Sequence, residues 1–173
     1  HEPVMKSLDL PHVHPYLADG KCVACHDPHG DQSKKMLKKN VADMCLSCHT
    51  FTDDLIRKHG GQKIEAGNCL VCHTPHASKN AKLLVNLHAP VKDGDCAACH
   101  SLAEGPNKFS VDGVREKCLA CHSEIETQTA KGASAHAPAK QGQCVKCHAP
   151  HGSDHSWFLA KASGEVCLDC HKQ

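Results

Sequence analysis

The pattern C-x-x-C-H occurs seven times in this chain of 173 residues, opening at Cys22, Cys45, Cys69, Cys96, Cys118, Cys144 and Cys167, and it consumes all 14 cysteines. On a helical turn, residues i, i+3 and i+4 lie on one face. Each motif therefore turns two thiols and one imidazole toward the same side of a short piece of backbone.

Closely spaced cysteines also serve structural zinc and disulfide frameworks. Neither explains a histidine directly after every pair. A flat macrocycle does, because two thiols must reach two vinyl groups while an imidazole reaches the iron, and the pattern reads as covalent attachment of haem c. The thioether residues are then Cys22, Cys25, Cys45, Cys48, Cys69, Cys72, Cys96, Cys99, Cys118, Cys121, Cys144, Cys147, Cys167 and Cys170. The proximal iron ligands are His26, His49, His73, His100, His122, His148 and His171. Seven covalent haems are expected.

Only five residues are aromatic, and the apolar fraction of 40% includes the cysteines. About 25 residues per haem cannot surround each macrocycle, so the haems must pack on one another and form the core. The expected fold is mostly irregular with short α-helices over Val41 to Phe51, Val114 to Ala130 and Gly164 to His171, and essentially no β-sheet. The formal charge of +1 becomes about −6 with seven ferric haems and about −13 with seven ferrous ones, by addition of propionates and iron. Lys34, Lys35, Lys38 and Lys39 form the densest basic run, a solvated face balancing propionates or a docking patch for an acidic partner. No nucleic-acid partner is expected, and no stretch approaches the 18 or so apolar residues of a membrane span. Haem c is attached outside the cytoplasm in bacteria and archaea, so the chain is expected to be exported, extracellular or periplasmic, after loss of a signal segment.

The motifs alternate between two kinds. One has glycine two residues before its first cysteine, at Gly20, Gly67, Gly94 and Gly142; the other has leucine just after it, at Leu46, Leu119 and Leu168. First cysteines within a pair lie 23, 22 and 23 residues apart. The chain thus reads as a single heptahaem unit over 1–173, built from modules 12–51 (two haems), 59–85 (one), 88–130 (two) and 136–173 (two).

Each module opens with a histidine, His14, His59, His88 or His136, eight or ten residues before its first cysteine. Three of these precede proline directly or after one alanine, which holds the chain extended. A second histidine follows the attachment histidine at +3 in three modules, as His29, His76 and His151, and an apolar pair comes later at Met36-Leu37, Leu83-Leu84 and Phe158-Leu159, expected to cover haem edges. The second module has lost its second haem. The third has Ser101-Leu102-Ala103 where a +3 histidine would stand.

Ten of the 17 histidines are not proximal, and four openers plus three +3 histidines make one distal ligand per iron. His1, His12 and His155 are surplus, and Met5, Met36 and Met44 are not needed. Three residues span at most about 10 Å, too little to round a macrocycle, so a +3 histidine must serve another haem than its neighbour's. The simplest rule pairs opener with first haem and +3 histidine with second: His14 with His26, His29 with His49, His59 with His73, His88 with His100, His136 with His148 and His151 with His171, leaving His76 for His122. Seven bis-histidine irons have no open position for substrate.

In these motifs the sequence resembles the doubled C-x-x-C-H family of multihaem c-type cytochromes, whose module reads His, C-x-x-C-H-x-Pro-His-Gly, then C-x-x-C-H about 20 residues on. Cys22 to His29 with Cys45 to His49, and Cys144 to His151 with Cys167 to His171, match closely. The resemblance implies electron transfer rather than catalysis. Relatives include periplasmic carriers, decahaem conduits inside outer-membrane porins, cytochromes of extracellular metal respiration and chains that polymerise into filaments with a continuous haem stack. Partners are then other redox proteins or copies of the chain in a homopolymer. A multihaem reductase is the competing class, but such enzymes often carry C-x-x-C-K at the open iron and none occurs here.

Without haem, little remains to offset chain entropy. The haem-free chain is expected to be disordered, with no cooperative transition on a thermal scan.

Overall fold

The computed structural model describes residues 1–30, 34–59, 61, 69–101, 111–132 and 134–172. They fall in two compact units, His1–Leu87 and His88–Gln173, each holding two of the modules. In the first unit, helix α1 (Glu2–Lys6) is followed by strand β1 (His12–Val13), α2 (Pro15–Ala18), α3 (Val41–Leu46), α4 (Asp53–Lys58) and strand β2 (Ala77–Ser78). The second holds α5 (Ala89–Lys92), α6 (Val114–Leu119), α7 (Ser123–Lys131), α8 (Ala137–Lys140) and α9 (Ser163–Leu168). The only sheet among the described residues is the antiparallel pair of β1 and β2, with His12 opposite Ser78 and Val13 opposite Ala77. A mostly irregular chain with short helices is what the motif density implied.

The two kinds of motif are two kinds of backbone. The glycine-preceded motifs start on single 3₁₀ turns, Cys22–Ala24, Cys69–Val71, Cys96–Ala98 and Cys144–Lys146. The leucine-bearing ones close the last turn of α3, α6 and α9. Gly20, Gly94 and Gly142 have φ of 67°, 74° and 70°, the left-handed region that glycine enters without a Cβ clash. Gly142 also has no room for a side chain, since a Cβ would meet Arg115 at 2.6 Å. Gly67 lies outside the described residues.

One expected helix, Val114 to Ala130, is broken between α6 and α7, where His122 has φ −109° and ψ 46°. The other two expected helices end earlier, at Leu46 and Leu168. In each case the second cysteine closes a tight i→i+3 bond, such as Cys48 N–H to Cys45 O at 3.2 Å. The His-Pro segments also differ from expectation. His14 is extended, with φ −62° and ψ 131°, but Pro15 then begins a helix, because its fixed φ and missing N–H suit a first helical position. α5 and α8 begin one residue earlier, at Ala89 and Ala137, with Pro90 and Pro138 as their second residues.

Around three attachment histidines the chain folds back as a miniature hairpin, with bridges His26 to Leu37, His73 to Leu84 and His148 to Leu159. Its corner is two successive left-handed residues, none of them glycine: Lys35-Met36, Lys82-Leu83 and Trp157-Phe158, with φ between 53° and 65°. Such a residue costs about 1–3 kcal/mol and persists only when its surroundings fix it. The corresponding corner of the third module falls outside the described residues.

No large side chain is fully buried among the described residues; the buried positions with side chains are Ala77, Ser78 and Ser153. The chain exposes 12661 Å², against about 8,200 Å² for a compact protein of its mass. The polypeptide alone lacks an apolar interior.

Strain at Lys82 is testable. Lys82→Gly should leave the thermal stability of the holoprotein unchanged or slightly raised, whereas Lys82→Ile should cost about 1–3 kcal/mol, read from Soret-monitored melting.

Candidate haem-binding centres

An imidazole can bind iron through Nε2 when its proton sits on Nδ1, and the hairpin corners hold it there. His26 Nδ1 meets Lys35 O at 2.9 Å, His73 Nδ1 meets Lys82 O at 2.9 Å and His148 Nδ1 meets Trp157 O at 2.8 Å. A carbonyl only accepts, so Nδ1 donates and Nε2 keeps its lone pair. The left-handed corners are therefore what aims a carbonyl at each ring. His59 reaches the same state by donating from Nδ1 to Leu55 O at 2.8 Å. In one motif of the second kind, His122 Nδ1 lies 3.6 Å from Glu124 Oε1.

Six attachment rings face a second imidazole. The centroid separations are 6.3 Å for His14 with His49, 6.2 Å for His26 with His76, 6.3 Å for His59 with His73, 6.0 Å for His88 with His122, 5.7 Å for His100 with His151 and 6.0 Å for His136 with His171. For His100 and His151 the Nε2 atoms are 3.4 Å apart while the centroids are 5.7 Å apart. Those rings point end-on, nitrogen to nitrogen, and are not stacked face to face. Two metal–imidazole bonds of about 2.0–2.1 Å in line need nitrogens about 4 Å apart, so the donor set fits an iron held between two histidines. The fourteen cysteines are all outside disulfides, which leaves both thiols of every motif for thioether formation.

Of the expected pairings, the ring contacts match only His59 with His73. His14 faces His49 and not His26, His88 faces His122 and not His100, His136 faces His171 and not His148, His76 faces His26 and not His122, and His151 faces His100 and not His171. The cause is the helix that follows each His-Pro or His-Ala-Pro. A helix advances about 1.5 Å per residue against about 3.3 Å for extended chain, so the opener cannot round the rim of the macrocycle attached just after it. It turns to the second attachment histidine of its module instead. His29 is not brought to an attachment ring; its side chain is 94% exposed.

Histidines of neighbouring modules that face attachment rings are held back to back. His14 N–H donates to His76 O at 2.8 Å, beside the β1–β2 pair, and His88 N–H donates to His151 O at 3.0 Å. Ser78 and Ser153, two residues after those +3 histidines, lock the turn: their hydroxyls donate to Leu84 O and Leu159 O at 2.5 and 2.7 Å and accept from Asn80 N–H and His155 N–H at 3.0 Å. Sequence reading passed over these serines, although both stand five residues after an attachment histidine. Burial lowers the pKa of His14, His76 and His151, with smaller contributions from facing histidines, so these rings stay neutral as ligands must.

The attachment cysteines are also neighbours. Burial, with Cys69 and then Cys25 adding to it, pushes the Cys45 thiol up to about 11. In the second unit burial, Cys144 and Cys99 do the same to Cys118. Beside Cys144, Cys147 and His148 opens a cavity of about 210 Å³ walled by Arg115, Leu119, Ile125 and Pro138. The apolar pairs border these sites, with Phe158 edge-on to His88 at 5.7 Å. Of the basic run, Lys38 is spent on the protein itself, donating to Val23 O at 2.6 Å inside the first motif.

The pairing predicts where a lost ligand is felt. His14→Ala should create one high-spin ferric centre that disappears when Cys45 and Cys48 are also replaced by alanine; the high-spin centre of His76→Ala should survive that replacement. Electron paramagnetic resonance distinguishes the two.

Comparison with curated proteins gives no match. A family model described as the doubled CXXCH motif matches residues 14–54, 62–86, 88–127 and 136–173, which is most of the chain and follows its modules. No helix among the described residues is long and apolar enough to cross a membrane. Attachment motifs that bind haem c covalently, paired imidazoles and the four matched segments agree: the chain belongs to the doubled CXXCH motif family, the multihaem c-type cytochromes, which are generally exported and serve electron transfer.

Proposed function

We propose that this cytochrome carries seven haems that form a continuous electron path, and that it works outside the cytoplasm as the protomer of a cytochrome filament. The observation that carries the reading is that facing imidazoles tie the motifs of one module to the next within each unit: His76 of the second module faces His26 of the first, and His151 of the fourth faces His100 of the third. Haems held between such rings would lie close to one another, which is what electron hopping requires. Bound haem supplies the one-electron couple. The protein's part is to fix both axial imidazoles, set their tautomers and keep the sites close.

The filament is favoured over a soluble shuttle by the shortage of chain: about 25 residues per haem leave little core, and such a chain gains order by burying its terminal haems against a second copy of itself. Its partners are therefore copies of the chain and the redox proteins that load and unload the path. A discrete periplasmic carrier or a porin-associated conduit is the alternative, and electron transfer without bond chemistry is the activity proposed.

Mass spectrometry of the purified holoprotein should show seven haem increments. Negative-stain electron microscopy of the native extracellular fraction should show filaments of uniform diameter containing this chain. Monomer-sized particles would make it a shuttle or a conduit component.

A further inference from the structure

Which end of a helix an opening histidine meets decides what its Nδ1 touches. A helix leaves free carbonyls at its C-terminal end and free N–H groups at its N-terminal end. His59 closes α4, and its Nδ1 lies 2.8 Å from Leu55 O. His14, His88 and His136 instead stand just before α2, α5 and α8, on nearly the same extended backbone, with φ of −62°, −63° and −61°. A side chain in that place is set to accept the N–H of the second helical residue.

The position of proline decides whether that N–H exists. After His88 and His136 the order is Ala-Pro, so the second helical residue is Pro90 or Pro138, whose nitrogen carries no hydrogen. Neither ring makes a cap bond. After His14 the proline comes first, as Pro15, and Tyr16 follows. Tyr16 N–H donates to His14 Nδ1 at 3.3 Å. The capped ring is also set differently: its plane lies 77° from that of His49, against 20° for His88 with His122 and 28° for His136 with His171.

An N–H only donates, so His14 Nδ1 accepts, and the proton of the neutral ring lies on Nε2, the nitrogen that iron needs bare. His14 therefore ligates only once that proton has moved to Nδ1 and the bond from Tyr16 has been given up. His59, in the same unit, is the opposite case, since its Nδ1 donates to a carbonyl. A single hydrogen bond shifts an equilibrium by about two- to tenfold. At His59 that factor favours ligation; at His14 it opposes it.

We propose that His14 is the opening histidine held least firmly as a ligand, and that the iron of the Cys45 motif, set between His14 and His49, is a binding site for a small neutral gas ligand such as carbon monoxide. The exchange is a substitution without change of oxidation state. The bond from iron to His14 Nε2 breaks, the gas takes its place, the ring proton returns to Nε2, and Nδ1 recovers the N–H of Tyr16. Recovery of the cap offsets part of the cost of losing the imidazole. Electron transfer does not call for such a site, so the inference goes beyond the path proposed above while resting on one of its seven haems.

The test uses full-length holoprotein shown by mass to carry seven haems, reduced, kept anaerobic and titrated with carbon monoxide while the Soret band reports uptake. One uptake step should vanish when Cys45 and Cys48 are replaced by alanine and remain when Cys69 and Cys72 are. Pro15→Ala with Tyr16→Pro gives His14 the order of the other two openers, and should weaken that step about two- to tenfold. Ala137→Pro with Pro138→Tyr makes the reverse change before α8, and should strengthen uptake at the His171 iron by a similar factor. Each variant is checked by mass for its haem number. Uptake that is untouched by the loss of Cys45 and Cys48 would overturn the proposal, as would affinities that neither exchange of proline moves. Fewer than seven haems on the wild-type chain would instead sink the seven-haem reading, whatever His14 does.

Discussion

A neutral imidazole has one proton for two nitrogens, and iron needs the nitrogen that lacks it. Everything local to the attachment sites of the glycine-preceded motifs follows from putting that proton on Nδ1. A carbonyl must be brought to Nδ1 from nine residues downstream, at Lys35, Lys82 and Trp157. The only short route back is a hairpin whose corner is left-handed at two non-glycine residues. That strain of about 1–3 kcal/mol per residue is offset by ladder bonds such as Thr74 N–H to Leu83 O at 2.8 Å and Val85 N–H to Cys72 O at 2.9 Å. The same hairpin carries the +3 histidine on its outer limb, so setting one attachment ring also places, at His76 and His151, the imidazole that faces another.

This coupling replaces a hydrophobic core. Side-chain burial among the described residues is confined to Ala77, Ser78 and Ser153, and these flank the segments that carry His76 and His151. In each unit a backbone hydrogen bond joins two histidines that face attachment rings, His14 with His76 beside the β1–β2 pair and His88 with His151. One such bond contributes only about 1 kcal/mol net. Paired rings aimed at one another must therefore be held by what lies between them, and order in the chain is tied to the cofactor.

The attachment motifs were legible in the sequence because their spacing is local: the pattern from Cys22 to His26 and its six counterparts needs no tertiary information. The alternation of two motif kinds was legible too, since Gly20, Gly94 and Gly142 mark left-handed turns that few other residues make cheaply. Distal pairing was not. It depends on how far the chain travels after each opener, and Pro15, Pro90 and Pro138 read equally well as ends of extended segments or as starts of helices. The left-handed corners were hidden for a related reason: Lys82-Leu83 carries no turn signature, and only the His73 contact shows why the backbone bends there. Ser78 and Ser153 gave no signal on their own because hydroxyl-to-backbone locks leave no spacing rule as strict as a metal's.

The irregularities of the repeat carry the last step. In a regular series each opener would serve the second haem and each +3 histidine a neighbour's first haem, so no ring would be spare. Deleting one haem from the second module frees a ligand; deleting one histidine from the third leaves an iron short. Either loss alone would leave the chain unbalanced, with an idle imidazole or an iron open to solvent and to small molecules. Both together restore the count of seven and seven, and leave His29 in the first unit and His148 in the second each without an imidazole facing it inside its own unit.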